Sequence, residues 1–339
     1  GAASFIGAGA AGGAVPADDV MDFAEIAGQE AARRGLEIAA AGSHNVILVG
    51  APGSGKSSMA KAMSTILPPM TREEFIQTCK IYSVSGKHMN ISGGMAMRPF
   101  RAPHYSASIP ALLGGGSDTI APGEVSLAHN GILFIDEYSE APKSFLEALR
   151  GPLEDGEVTI SRLKSKVSFP ARFMLVAAAN PCPCGYWGEG DRCTCTPTQR
   201  ASHISKLSGP MMDRIDIHLW LHPVETSKLV RKAKAESSDS IAARVKAARE
   251  IQLRRFMNDG IFTNSQMSNR LMHKYCHLSR DCQDYLEKVV GQLGLSARGC
   301  TRIIKIARTI ADLDSSADIT LEHLFEASGY RFLDRRTPV

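Results

Sequence analysis

The stretch that decides the fold is NVILVGAPGSGKSSMAKAMSTIL, residues 45–67. It begins with a short apolar run that suits a buried strand, and it ends with apolar residues at helical spacing. Between these, GAPGSGKS matches the pattern G-x-x-x-x-G-K-[ST], whose glycines let backbone N–H groups surround phosphates. We call this segment, residues 50–57, the phosphate loop. The order of strand, loop and helix predicts nucleotide binding; a glycine-rich turn without a ligand is the alternative.

The residues of the phosphate loop have separate predicted roles. We expect the Lys56 ammonium to reach the β- and γ-phosphates of ATP or ADP, and the Ser57 hydroxyl to bind Mg²⁺. The amino terminus of the following helix adds a favourable dipole for the phosphates. The predicted nucleotide-binding residues are Gly50, Pro52, Gly53, Ser54, Gly55, Lys56, Ser57 and Ser58.

Two further apolar runs end in polar residues. GILFIDE ends in Asp136 and Glu137, and FMLVAAAN ends in Asn180. Because open α/β sheets bind ligands at the carboxyl ends of their strands, we expect these side chains beside the phosphate loop. Asp136 is predicted to hold Mg²⁺, usually through water, and Glu137 to polarise the attacking water. Asn180 is predicted to orient that water or touch the γ-phosphate. A solvated carboxylate and a turn-forming asparagine are the simpler alternatives.

Strands and helices alternate over the first two thirds of the chain. Residues 215–221, IDIHLWL, form a fourth apolar run, and residues 156–173 alternate as a β-hairpin does. The pattern predicts an α/β fold, a P-loop core with a mostly parallel sheet flanked by helices, followed by a C-terminal helical lid. Further predicted elements are a helix within 18–42, loops and hairpins over about 83–130, and helices at 142–154, 241–256, 282–294 and 296–313. The expected divisions are a linker or tag remnant at 1–16, the ATPase core with hairpin inserts at 17–222 and the lid at 223–339.

The composition is that of an ordinary globular protein. Of 339 residues, 44% are hydrophobic and 22% are charged, and the net charge of +4 permits nucleic acid as a partner without requiring it. The apolar runs are too short to cross a bilayer, and the first residues lack the basic start of a secretory signal. We therefore expect a cytoplasmic protein without a membrane partner, in a compartment that keeps thiols reduced.

Four of the eight cysteines lie in one segment, NPCPCGYWGEGDRCTCT, residues 180–196. They are Cys182, Cys184, Cys193 and Cys195. Two Cys-x-Cys pairs at this spacing can enclose one tetrahedral Zn²⁺, and nothing in the pattern suggests an open position for catalysis. A structural zinc ion would lock the loop between Asn180 and Arg214. Reduced free cysteines and a disulfide pair are the other interpretations.

Basic residues are concentrated in two places. The predicted hairpin carries Arg162, Lys164 and Lys166 near its tip, where they would contact DNA phosphates. A solvated edge strand is the alternative, because lysine on an exposed edge also prevents aggregation. Residues 228–256 contain nine basic and three acidic side chains, for which a solvated helix face is the simpler interpretation.

Together these stretches resemble the ComM/YifB family of magnesium-chelatase-like AAA+ ATPases. The resemblance covers almost everything from residue 22 to residue 313, and PGEVSLAHNG and NPCPCG are its most specific parts because they are not general AAA+ features. The other stretches are DFAEIAGQEAARRGLEIAAAG, GAPGSGKS, RPFRAPHYSAS, LLGGG, GILFIDE, LRGPLEDGEVTIS, SGPMMDRIDI and LSARGCTRIIKIARTIADL. The resemblance implies hydrolysis of ATP with Mg²⁺.

Two arginines gain roles from this resemblance. Phosphoryl transfer is assisted by a cation on the developing charge, but spacing alone leaves Arg214 and Arg298 equally open to surface ion pairs. By resemblance, Arg214 matches the arginine finger given to the next subunit's nucleotide, and Arg298 matches the sensor arginine of the lid. Asn180 matches the polar sensor of the core. A finger that acts between subunits implies a homo-hexameric ring, and in related rings a hairpin like the one at 156–173 points into the central pore.

The chain departs from the family pattern in three respects. The usual amino-terminal Lon-protease-like domain is not expected in this sequence. His104 is followed by Tyr105 where the family has a second histidine, which puts any essential role of that second histidine in doubt. DEYSEA, residues 136–141, replaces the more usual DELPEF without an obvious loss.

Three functions follow from these observations. The resemblance implies a DNA translocase or helicase that acts on branched or single-stranded DNA, and the cysteine-rich segment and the basic hairpin favour it. A protein-remodelling subunit similar to the magnesium-chelatase motor subunit, with a protein partner, is the alternative. A non-catalytic scaffold is disfavoured by the presence of Lys56, Asp136, Glu137 and Asn180. A steep salt dependence of DNA binding would distinguish the first two.

Overall fold

The computed structural model describes residues 21–334 apart from residues 90, 93–94, 117–119, 162–165, 208–210 and 224–234. The linker predicted at residues 1–16 lies outside this range. The strands are β1 Val46–Gly50, β2 Ile91–Ser92, β3 Met95–Ala96, β4 Phe100–Arg101, β5 Gly114–Gly115, β6 Ala121–Pro122, β7 Ile132–Ile135, β8 Glu157–Ser161, β9 Lys166–Pro170, β10 Met174–Ala179 and β11 Ile217–Leu221.

A five-stranded parallel sheet forms the core of the molecule. Its order is β11–β1–β10–β7–β4, and each neighbouring pair is parallel. Val49 of β1 lies opposite Ala179 of β10 and Trp220 of β11. The strands therefore all end at one edge, which we call the carboxyl edge, and all begin at the opposite one, the amino edge. This confirms the predicted α/β fold with its P-loop sheet.

Three antiparallel hairpins branch from this core: β2 with β3, β5 with β6, and β8 with β9. The last confirms the hairpin predicted at residues 156–173, although β9 already ends at Pro170. In β8 and β9, Val158 and Phe169 are buried opposite each other while their neighbours are exposed, so the alternation of the sequence has its expected cause.

Helices cover both faces of the sheet and form the C-terminal part. None in the described part of the chain has the length and apolar character needed to cross a bilayer. The helices are α1 Glu30–Gly42, α2 Lys56–Ile66, α3 Arg72–Ser85, α4 Ile109–Leu113, α5 Glu124–Leu127, α6 Lys143–Asp155, α7 Pro197–Lys206, α8 Ser238–Arg255, α9 Asn269–Tyr275, α10 Arg280–Leu293, α11 Ala297–Leu313 and α12 Leu321–Gly329.

Six of these helices are not among those predicted: α3, α4, α5, α7, α9 and α12. α3 begins at Thr71 with a capping box in which the Thr71 hydroxyl accepts from the Glu74 N–H and the Glu74 carboxylate accepts from the Thr71 N–H. α7 begins in the same way at Thr196. The expectation of only loops and hairpins over residues 83–130 was incomplete, because this region also contains α4, α5 and the edge strand β4.

The helical lid, α8 to α12, packs against the core without a break in the apolar interior. Ile241 and Val245 of α8 and Ile303 of α11 share one buried cluster with Leu36 of α1. Polar contacts join the lid to the amino edge. The His44 ring, just before β1, lies 2.8 Å from the Thr309 hydroxyl through Nε2. Asp216, just before β11, pairs with Arg302. The lid is therefore anchored at the edge opposite the phosphate loop.

Candidate active site

The phosphate loop joins β1 to α2 at the carboxyl edge. Gly53 and Gly55 have φ angles of 79° and 90°, in the left-handed region that favours glycine. Gly55 is the N-cap of α2, so the unpaired N–H groups of the first turn of α2 begin at the loop. A loop of this shape presents backbone donors to an anion.

The Lys56 ammonium forms hydrogen bonds with the backbone of the phosphate loop. Its Nζ donates to the backbone oxygens of Gly50 at 2.7 Å and Ala51 at 2.9 Å, and to Oδ1 of Asn180 at 3.2 Å. Burial lowers the pKa of Lys56, and the nearby Asp136 carboxylate opposes that shift. The structure thus brings Lys56, at the start of α2, together with Asn180, which follows β10.

Ser57 and the end of β7 meet at the same edge. The Ser57 hydroxyl donates to Oδ2 of Asp136 at 3.0 Å, and the Glu137 N–H donates to Oδ1 of Asp136 at 2.9 Å. Glu137 is exposed and has a left-handed backbone, with φ 50° and ψ 41°. A hydroxyl and a carboxylate are oxygen ligands of the kind that Mg²⁺ takes. Ser57 and Asp136 therefore fit a magnesium site next to the phosphate loop.

Two residues that are not among the predicted site residues, Gln29 and His203, also support the carboxyl edge. Nε2 of Gln29 donates to the backbone oxygens of Ser54 at 3.2 Å and His222 at 2.5 Å, which ties the loop to the end of β11. Nε2 of His203, on α7, lies 3.0 Å from the backbone oxygen of Asn180. Gln29 lies in AGQE, a stretch that carries the family resemblance, so the sequence does contain a signal for it. No feature of the sequence around His203 indicates a role at this edge.

The four clustered cysteines meet directly after Asn180. Their sulfur atoms all lie within 4.8 Å of one another, and they are Cys182, Cys184, Cys193 and Cys195. Cys182 Sγ is 3.4 Å from Cys184 Sγ and 3.9 Å from Cys193 Sγ, so neither pair is a disulfide, whose sulfurs lie about 2.05 Å apart. Sulfurs around one tetrahedral ion with bonds of about 2.3 Å stand roughly 3.8 Å apart. The cluster therefore fits a single metal ion.

The thiols of Cys182 and Cys184 in this cluster differ in pKa. Burial, and after it the adjacent Cys184 sulfur, raise the pKa of the Cys182 thiol to about 12. The backbone N–H of Tyr186 is the main cause that lowers the pKa of Cys184 to about 5. Negative charge is thus favoured at one sulfur and opposed at its neighbour, as expected where thiolates crowd together. A divalent cation would relieve that opposition.

Arg214 lies away from the phosphate loop of its own chain. It precedes β11 at the amino edge, and its guanidinium is 7% exposed and pairs with Glu154 at the end of α6. Its backbone oxygen accepts from Nδ2 of Asn45 at 2.8 Å. The structure therefore does not bring Arg214 together with Lys56 and Asp136 within one chain.

Arg298 is also separated from the phosphate loop. It lies in the first turn of α11, as the sequence predicted, and its side chain is exposed. One turn further along, Arg302 pairs with Asp216 at the amino edge, which places the start of α11 on that side of the sheet. Arg298 has no side-chain partner among the residues that the structure describes.

The predicted DNA contacts can be located only in part. Lys166 is exposed at the first position of β9. Arg162 and Lys164 lie outside the described residues, as does the start of the basic segment at 228–256.

Comparison with known proteins places the chain in a family. The family profile described as "Magnesium chelatase, subunit ChlI" matches residues 22–229, and the profile described as "Magnesium chelatase, subunit ChlI C-terminal" matches residues 235–331. The two matches together cover most of the chain.

Curated relatives agree with this placement. The chain is 44% identical over 315 residues to the uncharacterized protein YifB of Salmonella typhimurium, which is 93% of this chain and 61% of the relative. It is 42% identical over 318 residues to competence protein ComM of Haemophilus influenzae, 94% of this chain and 61% of the relative. The magnesium-chelatase 38 kDa subunit of Rhodobacter capsulatus is 25% identical over 180 residues, 48% of this chain and 51% of that subunit. The chain thus spans about three fifths of the length of YifB and ComM, and the resemblance to that family is confirmed.

Proposed function

Because this chain belongs to the magnesium chelatase ChlI family, we propose that it is a Mg²⁺-dependent ATPase of the AAA+ class. The observation that carries the proposal is the meeting of Lys56 with Asn180 and of Ser57 with Asp136, at 3.2 Å and 3.0 Å, on one edge of a parallel sheet. A nucleotide site of this kind needs a cation, a metal site and a polar group for the terminal phosphate in that arrangement.

Each residue of the proposed site has a separate role in the hydrolysis of ATP. The backbone N–H groups of the phosphate loop bind the phosphates, and Lys56 exchanges the carbonyls of Gly50 and Ala51 for phosphate oxygens. Ser57 and Asp136 would hold Mg²⁺, which when bound would supply positive charge to neutralise the phosphates. Glu137, held beside Asp136, orients the attacking water and accepts its proton, and Asn180 fixes that water or the γ-phosphate.

We propose further that the active assembly is a homo-hexameric ring in which arginines act between subunits. Arg214 and Arg298 both lie on the far side of the sheet from the phosphate loop of their own chain, so each could reach a nucleotide only in a neighbour. To act as a finger, Arg214 would exchange its Glu154 partner for phosphate charge.

The four-cysteine cluster is proposed to hold a structural Zn²⁺. Four sulfurs within 4.8 Å of one another, three of them 3.4–3.9 Å apart, without a carboxylate among them, favour a closed site. The ion would fix the fold of a segment that contains little regular structure, with one short 3₁₀ turn at Gly190–Arg192.

DNA is the proposed substrate of the motor, which would translocate on branched or single-stranded DNA. Similarity to a competence protein over 94% of the chain and the exposed Lys166 on the hairpin support this. A protein-remodelling subunit is the second candidate, and the weaker similarity to a magnesium-chelatase subunit favours it.

The test is the ATPase rate with and without single-stranded and branched DNA, with Glu137→Gln as the inactive control. Stimulation by DNA that fades as salt rises supports the motor. A Glu137-dependent rate that no DNA changes would reject it and favour the protein-remodelling function.

The hairpin is tested in the same assay by replacing Arg162, Lys164 and Lys166 together with alanine. If they contact phosphates, the salt dependence of DNA binding should fall by about three units of slope. The matched control replaces Lys143, Lys274 and Arg280, which carry the same total charge at exposed positions elsewhere. An equal loss in both variants would show that only net charge matters.

A further inference from the structure

The cysteine loop, which we define as residues 182–195, lies directly against the phosphate loop. A Cβ atom on Gly185 would stand 2.8 Å from Cδ of Pro52 and 3.9 Å from Cγ of Asn180. Only a residue without a side chain allows this approach. Pro52 is one of the predicted nucleotide-binding residues, and the Asn180 amide accepts from Lys56. The position of the cysteine loop therefore limits the position of the nucleotide site.

The other side of the cysteine loop packs on the edge strand β11. The ring of Trp187 meets that of Trp220 edge to face, with centroids 5.9 Å apart, and a Cβ on Gly188 would stand 3.3 Å from the Trp220 ring. Trp220 in turn meets Phe332, near the end of the described chain, at 5.8 Å. The cysteine loop therefore lies between the phosphate loop on one side and the Trp220 ring of β11 on the other.

The segment after the loop returns to the same site. Nε of Arg200 donates to the backbone oxygen of Cys195 at 3.2 Å, and one turn later His203 contacts the backbone oxygen of Asn180. Both ends of the cysteine loop are therefore fixed near Asn180, and the sulfur cluster joins its first residues to its last.

We propose that the cysteine loop, when its four sulfurs hold a metal ion, positions the phosphate loop, so that removal of the metal weakens nucleotide binding. This inference rests on the proposed nucleotide site and adds that the metal ion controls how tightly the site binds nucleotide. Without the ion, only weak sulfur hydrogen bonds of 3.4–3.9 Å join Cys182, Cys184 and Cys193, and the 3₁₀ turn is too short to fix the loop alone. Gly185 is then no longer held against Pro52, and the phosphate loop loses the shape that is preorganised for binding phosphates.

The first experiment measures the metal content and the affinity for a fluorescent ADP on the same purified protein. Zinc is removed with 1,10-phenanthroline, which leaves Mg²⁺ in solution, and is then restored. We expect one metal ion per chain and an affinity that falls about tenfold on removal, equivalent to about 1.4 kcal/mol, and returns with zinc. Equal affinity with and without metal, or a protein that neither contains nor takes up metal, overturns this inference alone. A metal-loaded protein that binds no ADP overturns the proposed nucleotide site as well.

A pair of glycine variants separates the contact from the metal. Gly185→Ala retains all four cysteines but forces a Cβ against Pro52; Gly190→Ala is the control, because Gly190 has φ 57° and nothing within 4 Å of its Cβ position. We expect both to bind zinc and only Gly185→Ala to lose ADP affinity. Equal ADP affinity in the two variants would contradict the proposed role of the contact.

Intrinsic fluorescence gives a readout independent of activity. Trp187 and Trp220 are the two tryptophans of the chain, and both lie at the contact between the cysteine loop and β11. Zinc removal should therefore change the tryptophan emission together with the ADP affinity. An unchanged emission on zinc loss would show that the loop keeps its position without the ion.

Discussion

The hydroxyl of Ser57 donates to Asp136 over a distance of 3.0 Å, although the two residues are 79 positions apart in the chain. The contact joins the end of the phosphate loop to the end of β7 and marks the proposed magnesium site. Ser57→Ala removes one oxygen ligand and leaves the carboxylate. We expect the variant to need about tenfold more Mg²⁺ for half-maximal ATPase activity, equivalent to about 1.4 kcal/mol of metal binding. Titration of the rate with Mg²⁺ measures this.

The control for that variant is Ser64→Ala, on the same helix. The Ser64 hydroxyl donates to the backbone oxygen of Lys61 within α2. Its removal should leave the Mg²⁺ requirement unchanged. A Ser57→Ala protein with a normal Mg²⁺ requirement would place the metal ligand elsewhere.

Glu137→Gln should separate binding from hydrolysis. The amide keeps the size of the side chain but cannot accept a proton, so ATP binds while the rate falls by about 10² or more. Single-turnover hydrolysis and fluorescent-nucleotide binding measure the two effects. Glu147→Gln, an exposed change of the same kind on α6, is the matched control and should be active. Equal loss of binding and hydrolysis in Glu137→Gln would mean that Glu137 supports the site rather than acting in the reaction.

Arg214 gives a test of catalysis between subunits. Alone, Arg214→Ala and Glu137→Gln should each be inactive, but a mixture of the two should regain activity. In a mixed ring, some sites combine an intact Glu137 with an intact Arg214 from the neighbour. The measurement is the ATPase rate against mixing ratio, with a maximum expected near equal parts. If no ratio restores activity, Arg214 acts within its own chain or only holds Glu154.

Asp216 predicts a dependence of stability on pH. Burial alone would raise its pKa, but Arg302 and then His44 hold it well below the ordinary value of about 3.9. Since the pKa is depressed in the folded state, this carboxylate contributes stability above pH 4 that is lost as the pH falls further. Asp216→Asn should therefore lower the free energy of unfolding by about 3 kcal/mol at pH 7, and by less at pH 3.

Urea titrations at the two pH values measure that difference. Asp318→Asn removes the same charge from an exposed position and should cost little at either pH. A loss for Asp216→Asn that is equal at pH 7 and pH 3 would show that the ionised carboxylate is not the source of the stability.

The parts of the fold that could be predicted are those with local signals. Residues 45–67 contain the apolar run of the strand, the glycines of the phosphate loop and the start of the helix within one short stretch. The structure has these three elements in that order. Asp136 and Asn180 followed from the rule that parallel strands end at one edge. The capping boxes of α3 and α7 are also local signals, but without a strong apolar period after them they do not identify a helix by themselves.

The parts that could not be predicted depend on contacts between distant residues. Gln29 reaches His222 across 193 positions, and nothing in either neighbourhood indicates the other. The helix that contains Arg298 was predicted, yet its place at the amino edge depends on how Arg302 meets Asp216. The packing of Trp187 on Trp220 likewise depends on where the cysteine loop folds.

The continuous interior shared by the lid and the core has a consequence for cooperativity. The sequence suggests two parts that meet near residue 223, but Leu36 of α1 and Ile241 of α8 belong to the same buried cluster. A chain cut between these parts would expose apolar surface on both fragments, so neither is expected to be a folding unit. Heat or urea should unfold the two parts in one transition, and nucleotide bound at the phosphate loop should raise the melting temperature of both together.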